Sequence, residues 1–120
     1  MSDYQQNFQS ITDFVQGTAK SVMSKIDHFT FKLLVDQLKS EDYEAANTAI
    51  EQLAREKRPL AIPPLYFVAH AHPNNRVRDK ALKALEVIGD KKKIEELTAE
   101  KSTQDAVKVL IQTYGNYKQV

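Results

Sequence analysis

The sequence predicts an all-α protein, a short solenoid of about three stacked helical hairpins with one additional helix at the N-terminus. Three observations carry this prediction. No segment alternates apolar and polar residues for long between turn clusters, so strand signals are absent. The glycines and prolines fall at breaks between helical stretches, at Gly17, Pro59, Pro63, Pro64, Pro73, Gly89 and Gly115. The chain also repeats itself. Ala81, Ala84, Leu85, Ile88 and Gly89 recur 35 positions earlier as Ala46, Ala49, Ile50, Leu53 and Ala54, and 26 positions later as Val107, Leu110, Ile111, Tyr114 and Gly115. A helical hairpin cannot bury its apolar stripe alone, so about three stacked units with atypical ends are the expected minimum.

The first 27 residues read as one amphipathic helix. Tyr4, Phe8, Ile11, Val15, Val22 and Ile26 share a face at steps of three or four, with Thr18 in the gap and Phe14 and Met23 widening the stripe. The opposite face carries mainly Gln, Asn, Ser and Thr, so the helix needs a surface to lie on. Either it caps the open end of the stack, or Tyr4, Phe8, Ile11, Phe14 and Val15 dock it into a partner's groove. Membrane attachment is disfavoured, because the polar face lacks the expected Lys and Arg.

Three hairpins follow, over about 28–56, 60–89 and 91–115. In the first, Ser40 or Asp42 can cap the helix beginning near Tyr43, with Glu44 in its electropositive first turn. In the second, Pro63-Pro64 suits a helix start, where the missing N–H is not needed. Asn74 or Asn75 can cap the next helix, and Gly89 suits a stop with positive φ. In the third, Ile94-x-x-Leu97 repeats Ile62-x-x-Leu65 at an offset of 32. The drop from 32 to 26 implies a shortened first helix or turn. Ser102 or Thr103 can cap the last helix, with Asp105 in its first turn. The organisation expected is one domain over 1–120: a capping or docking helix over 1–27, repeats over 28–115 and a tail at 116–120.

Composition excludes several classes of chemistry. The chain has no cysteine, which removes disulfides, thiolate zinc sites and cysteine nucleophiles and suits a cytoplasmic protein. No basic segment followed by an apolar run opens the chain, so no secretory signal is expected. No apolar stretch approaches the roughly 20 residues needed to span a bilayer. The few, scattered glycines leave no phosphate-binding loop and no nucleophile elbow. His70 and His72 stand two apart at a helix end, where their rings splay, and no Asp or Glu lies between Tyr66 and Arg78 to complete a metal site. They read as a polar C-terminal turn, and His28 as a surface or capping residue. Glu41-Asp42 and Glu95-Glu96 sit at expected helix starts, where negative charge is stabilising without a catalytic role. No catalytic residue, metal or cofactor is implied.

Charge is unevenly placed. The net charge of +1 divides into −4 over residues 1–54, +6 over 55–93 and −1 over the rest. Arg76, Lys80 and Lys83 share one side of a helix. Arg55, Lys57, Arg58 and Lys91, Lys92, Lys93 are expected in inter-helix turns, which line up along one edge of a solenoid as a shared basic ridge. Such a ridge suits an acidic protein partner. Nucleic acid is disfavoured, because acids flank both clusters. Phe29, Phe31, Tyr43, Tyr66 and Phe67 are core by default, and any exposed subset would mark a binding site.

The central hairpin resembles a HEAT repeat, most of all the HEAT-like units of the phycobilisome lyase type. Ile62, Pro63, Leu65, Val77, Arg78, Ala81, Ala84, Leu85, Ile88, Gly89 and Asp90 fit that pattern. In such repeats an arginine at the position of Arg78 bonds within the stack. Asn74 and Asn75 replace the aspartate often found in the preceding turn. The resemblance implies a helical surface that grips another protein, and relatives of this type handle phycobiliproteins. The expectation is a non-catalytic protein-interaction module acting on a phycobiliprotein or another photosynthetic complex. One alternative is a phycobilin lyase-like or chaperone-like factor, with Arg76, Lys80 and Lys83 meeting bilin propionates. Another is a nucleic-acid-binding HEAT-like protein. Oligomeric state is left open.

Overall fold

The computed structural model describes residues 3–115; the expected tail at 116–120 lies outside them. Every regular element among the described residues is helical. An N-terminal helical run comprises α1 (Asp3–Asn7), α2 (Gln9–Phe14), a π-helical segment (Val15–Ala19) and α3 (Lys20–Val22). The N–H groups of Ile11 and Thr12 both reach the carbonyl of Phe8, so the helix carries on through that turn. Three hairpins follow: α4 (Lys25–Lys39) with α5 (Tyr43–Glu56), α6 (Ile62–Ala71) with α7 (Asn75–Ile88), and α8 (Lys91–Thr98) with α9 (Thr103–Tyr114). A 3-10 turn at Pro59–Ala61 leads into α6, whose first turn holds Pro63 and Pro64. The shortened last unit is real, since α8 has 8 residues where α4 has 15.

Local chemistry sets most boundaries. Ser24 accepts the N–H of Asp27, Asn74 those of Arg76 and Val77, Asp90 those of Lys92 and Lys93, and Ser102 that of Asp105. Each satisfies donors that the first turn leaves open, and each is worth about 1 kcal/mol. Packing then joins the units. Helices α5 and α7 lie side by side, and the residues that let them approach are small: Ala46, Ala49, Ala81 and Ala84 are all buried. Helix α9 packs along α6. The N-terminal run crosses the remaining open face, tied to α4, α6 and α9. Helix α6 is therefore covered on every side. Residues 60–68 are all buried, matching a helix that is apolar all round rather than amphipathic.

Several expectations change. The N-terminal run ends at Val22 and α4 begins at Lys25, because the Ser24 cap starts a new helix. Ile26 consequently leaves the N-terminal stripe and stands exposed on α4, and His28 lies inside that helix. Gly89 does not adopt positive φ; its backbone is extended at φ −120°. A Cβ there would lie 2.9 Å from Cδ1 of Ile94 and 3.1 Å from Cδ1 of Ile62, so glycine serves close approach between α6, α7 and α8. Positive φ occurs instead at Lys57 and Glu100. Asp42 stands at the N-cap of α5, as expected, but its side chain makes no cap bond, and the Ser40 hydroxyl accepts the N–H of Asp42 and closes the preceding turn. Lys91, Lys92 and Lys93 are not in a loop: the Asp90 cap makes them the first turn of α8, which moves Glu95 and Glu96 to mid-helix.

Candidate protein-binding surface

Tyr4, Phe8, Ile11, Phe14 and Val15 all face inward and are buried in the chain's own core. The ring of Tyr4 stacks on Phe67 at 5.5 Å between centroids, and Phe8 meets Phe67 edge-on at 5.6 Å. The Tyr4 hydroxyl donates to the carbonyl of Leu38, and burial pushes its ionisation far above the ordinary phenol range. Further along, Gln104 on α9 donates to the carbonyl of Asn7, and His28 on α4 donates from Nε2 to the carbonyl of Val15 at 2.8 Å. In this structure the apolar face of the helix is occupied by its own stack. Docking into a partner would require it to leave.

Of the nine basic residues expected at a binding surface, four are paired with acids from the same or neighbouring elements. Arg55 pairs with Glu51, and Lys80 crosses from α7 to bond the same Glu51. That contact holds the Glu51 carboxyl below its ordinary range. Arg58 bridges Asp27 at 3.2 Å and Glu56 at 3.5 Å, clamping the α5–α6 turn to the start of α4. Lys91 pairs with Glu86 at 3.5 Å, and the ammonium of Lys93 stands 5.6 Å from the ring centre of Tyr114. Lys57, Arg76, Lys83 and Lys92 are exposed and form no ion pair among the described residues. Arg78 bonds the carbonyl of His72 at 2.6 Å, closing the α6–α7 turn.

Two concave features flank α7. On one side, Ile50 and Ala54 of α5 and Ala84 and Val87 of α7 line a shallow apolar groove, with Lys80 and Lys83 at its rim. On the other, Tyr66, Leu82, Leu85 and Ile94 line a cleft of about 170 Å³ between α6, α7 and α8. Glu86, Lys91 and Glu95 stand at its mouth beside His70. The His70 ring packs on Tyr66 with centroids 4.2 Å apart, and burial lowers its pKa below the ordinary 6.5. Leu82 and Val87, 47% and 55% exposed, project from α7 over these two depressions. Among the described residues no group of three or more His, Asp or Glu is placed to hold a metal ion.

Sequence reasoning missed two features here. His72 is a core residue, 1% exposed, rather than part of a polar turn. The unbroken apolar run Leu60–Ala69 was the available signal, since a helix covered all round needs a neighbour over its end as well. The prominence of Leu82 and Val87 left a fainter trace: both lie off the inner stripe at Val77, Ala81, Ala84, Leu85 and Ile88.

Comparison with known proteins agrees with this architecture. A profile of HEAT repeats matches residues 31–115, which covers all three hairpins apart from the start of α4. No curated protein and no solved structure matches the chain. Among the described residues no helix is long and apolar enough to cross a membrane. With stacked helix pairs, the Arg78 turn contact and a family match over most of its length, the chain belongs to the HEAT-repeat family.

Proposed function

We propose that this protein is a non-catalytic interaction module that grips a partner protein across the exposed ridge of α7. The observation that supports this best is the pair Leu82 and Val87, each projecting over an apolar depression on opposite sides of one helix. Exposed apolar side chains beside pockets are the usual anchors of protein interfaces, surrounded by a polar rim. The cleft has room for one aromatic or aliphatic side chain of the partner. At about 170 Å³ it is smaller than the roughly 300 Å³ at which small-molecule sites begin. At this cleft, that favours a protein over an open-chain tetrapyrrole.

The partner surface we propose is acidic where it meets Arg76 and Lys83, which have no ion pair among the described residues. Acids interspersed among the other cations argue against a phosphate backbone, which needs a continuous basic track. Identification of that partner as a phycobiliprotein rests on the resemblance of the central hairpin alone. Affinity capture from lysate with the native chain and with a Leu82→Asp/Val87→Asp variant tests the proposal. A partner retained by the first and lost by the second supports it, and one retained equally by both refutes it. An induced absorbance change on adding free bilin would favour the lyase-like alternative instead.

A further inference from the structure

Among the described residues, three of the six exposed large apolar side chains stand on the outer face of α4, a different helix from the α7 ridge. Ile26, Phe29 and Leu33 are 80%, 63% and 48% exposed. Their spacing of three and four places them in one row along the helix, about 10 Å long at 1.5 Å per residue. A solenoid normally ends in a polar face, because an apolar one invites association. Here the N-terminal run covers the α4, α6 and α9 side and leaves this row open. Beside it, Lys20, Met23, Lys25, Phe29 and Lys32 line an open groove of about 420 Å³ between α3 and α4. None of the three lysines has an ion pair among the described residues. Of the two acids of α4, Asp27 is engaged by Arg58, and Asp36, four residues after Lys32, forms no ion pair among the described residues. At the far end the row meets Asp36, exposed one turn beyond Leu33.

We infer that this face is a second docking site, which takes an acidic amphipathic helix from another protein. The occupant presents apolar residues at i, i+3 or i+4, and i+7 to Ile26, Phe29 and Leu33. Its carboxylates meet Lys20, Lys25 and Lys32. The charge pattern selects this occupant over two others. A second copy of the chain, packed α4 on α4 about Phe29, would bring Lys25 of one copy to Lys32 of the other, and like charges at a contact are unfavourable. An anionic lipid surface would press on Asp36 together with the lysines, whereas a helix can set its carboxylates against Lys20, Lys25 and Lys32 alone. The length of the row also fits two turns of a helix, as helix-in-groove recognition requires.

The test is selection of binders to the full chain from a displayed library of amphipathic helical peptides with randomised flanking charges. The expected winners carry Glu or Asp beside an i, i+3/i+4, i+7 apolar row. Their affinity should fall about tenfold or more with Phe29→Ser and several-fold between low and 300 mM salt. Leu82→Asp on the α7 ridge should leave it unchanged, which separates this site from the one proposed above. Phe29 is exposed, so circular dichroism should show Phe29→Ser folded as the native chain is. Winners that are basic, or insensitive to Phe29→Ser, overturn the proposal. So does sedimentation showing a dimer that Phe29→Ser dissolves, or binding to phosphatidylserine vesicles in preference to every peptide.

Discussion

His72 donates from Nε2 to the carbonyl of Ser40, 3.0 Å away, while its Nδ1 accepts the N–H of Asn74 at 3.0 Å. One buried ring thereby joins the end of α6 to the α4–α5 turn and to the cap of α7. The two bonds also fix its tautomer, with the proton on Nε2. His72→Phe keeps a planar aromatic ring, somewhat larger than imidazole, and removes both bonds. It should lower the free energy of unfolding by about 1–3 kcal/mol, since a half-buried carbonyl and a half-buried N–H lose their partner. Urea denaturation checks this; a loss below about 0.5 kcal/mol would show that the bonds are replaceable by water.

The N-terminal helix should behave as part of the core. Ile11→Ala should cost about 2–4 kcal/mol, the range for a large-to-small change at a fully buried site. Tyr4→Phe, which loses only the bond to Leu38, should cost about 1 kcal/mol. Thermal melts of both variants separate a cap from a loosely held arm, for which neither change would alter the melting temperature.

Much of this fold is legible in the sequence because it is local. The caps at Asn74 and Ser102, the prolines opening α6 and the 35-residue repeat of the α5 and α7 stripes all lie within one helix or one unit. What was hidden depends on residues far apart in the chain. His72 is buried partly by Tyr4, whose ring lies 4.9 Å away and 68 positions earlier. The basic ridge is diluted by acids brought from other helices, Glu51 to Lys80 and Asp27 to Arg58. Ile26 fits the N-terminal stripe by spacing, and only the Ser24 cap sends it to another helix. The resemblance in the central hairpin reported packing faithfully, but the surfaces that could hold a partner lie outside its pattern, at Leu82, Val87 and Phe29.

Gly89 offers a test of close approach against backbone freedom. Its extended φ can be adopted by any residue, so Gly89→Ala carries no conformational strain. The added methyl instead crowds Cδ1 of Ile94 and Ile62. The substitution should cost about 1–3 kcal/mol as overpacking. Combining it with Ile94→Val, which removes one obstructing carbon, should cost less than the sum of the two single changes. A double-mutant cycle that is strictly additive would refute this.

Acid should weaken the fold through His70. Burial depresses its folded pKa below 6.5, so below that pH the unfolded chain binds more protons than the folded one. The contribution of this residue is fully present above about pH 6.5 and declines as pH falls through the folded value. His70→Gln should flatten the part of the melting-temperature profile between about pH 7 and 5. An unchanged slope would assign the acid response to other groups.

The most direct measurement places a photo-crosslinking amino acid at position 82, at position 87 and, as a control, at the exposed position 113 of α9. Binding across the α7 ridge predicts crosslinks to one common protein from positions 82 and 87 and none from 113. Crosslinks from 113 alone, or none from either ridge position when the partner is retained, would contradict it.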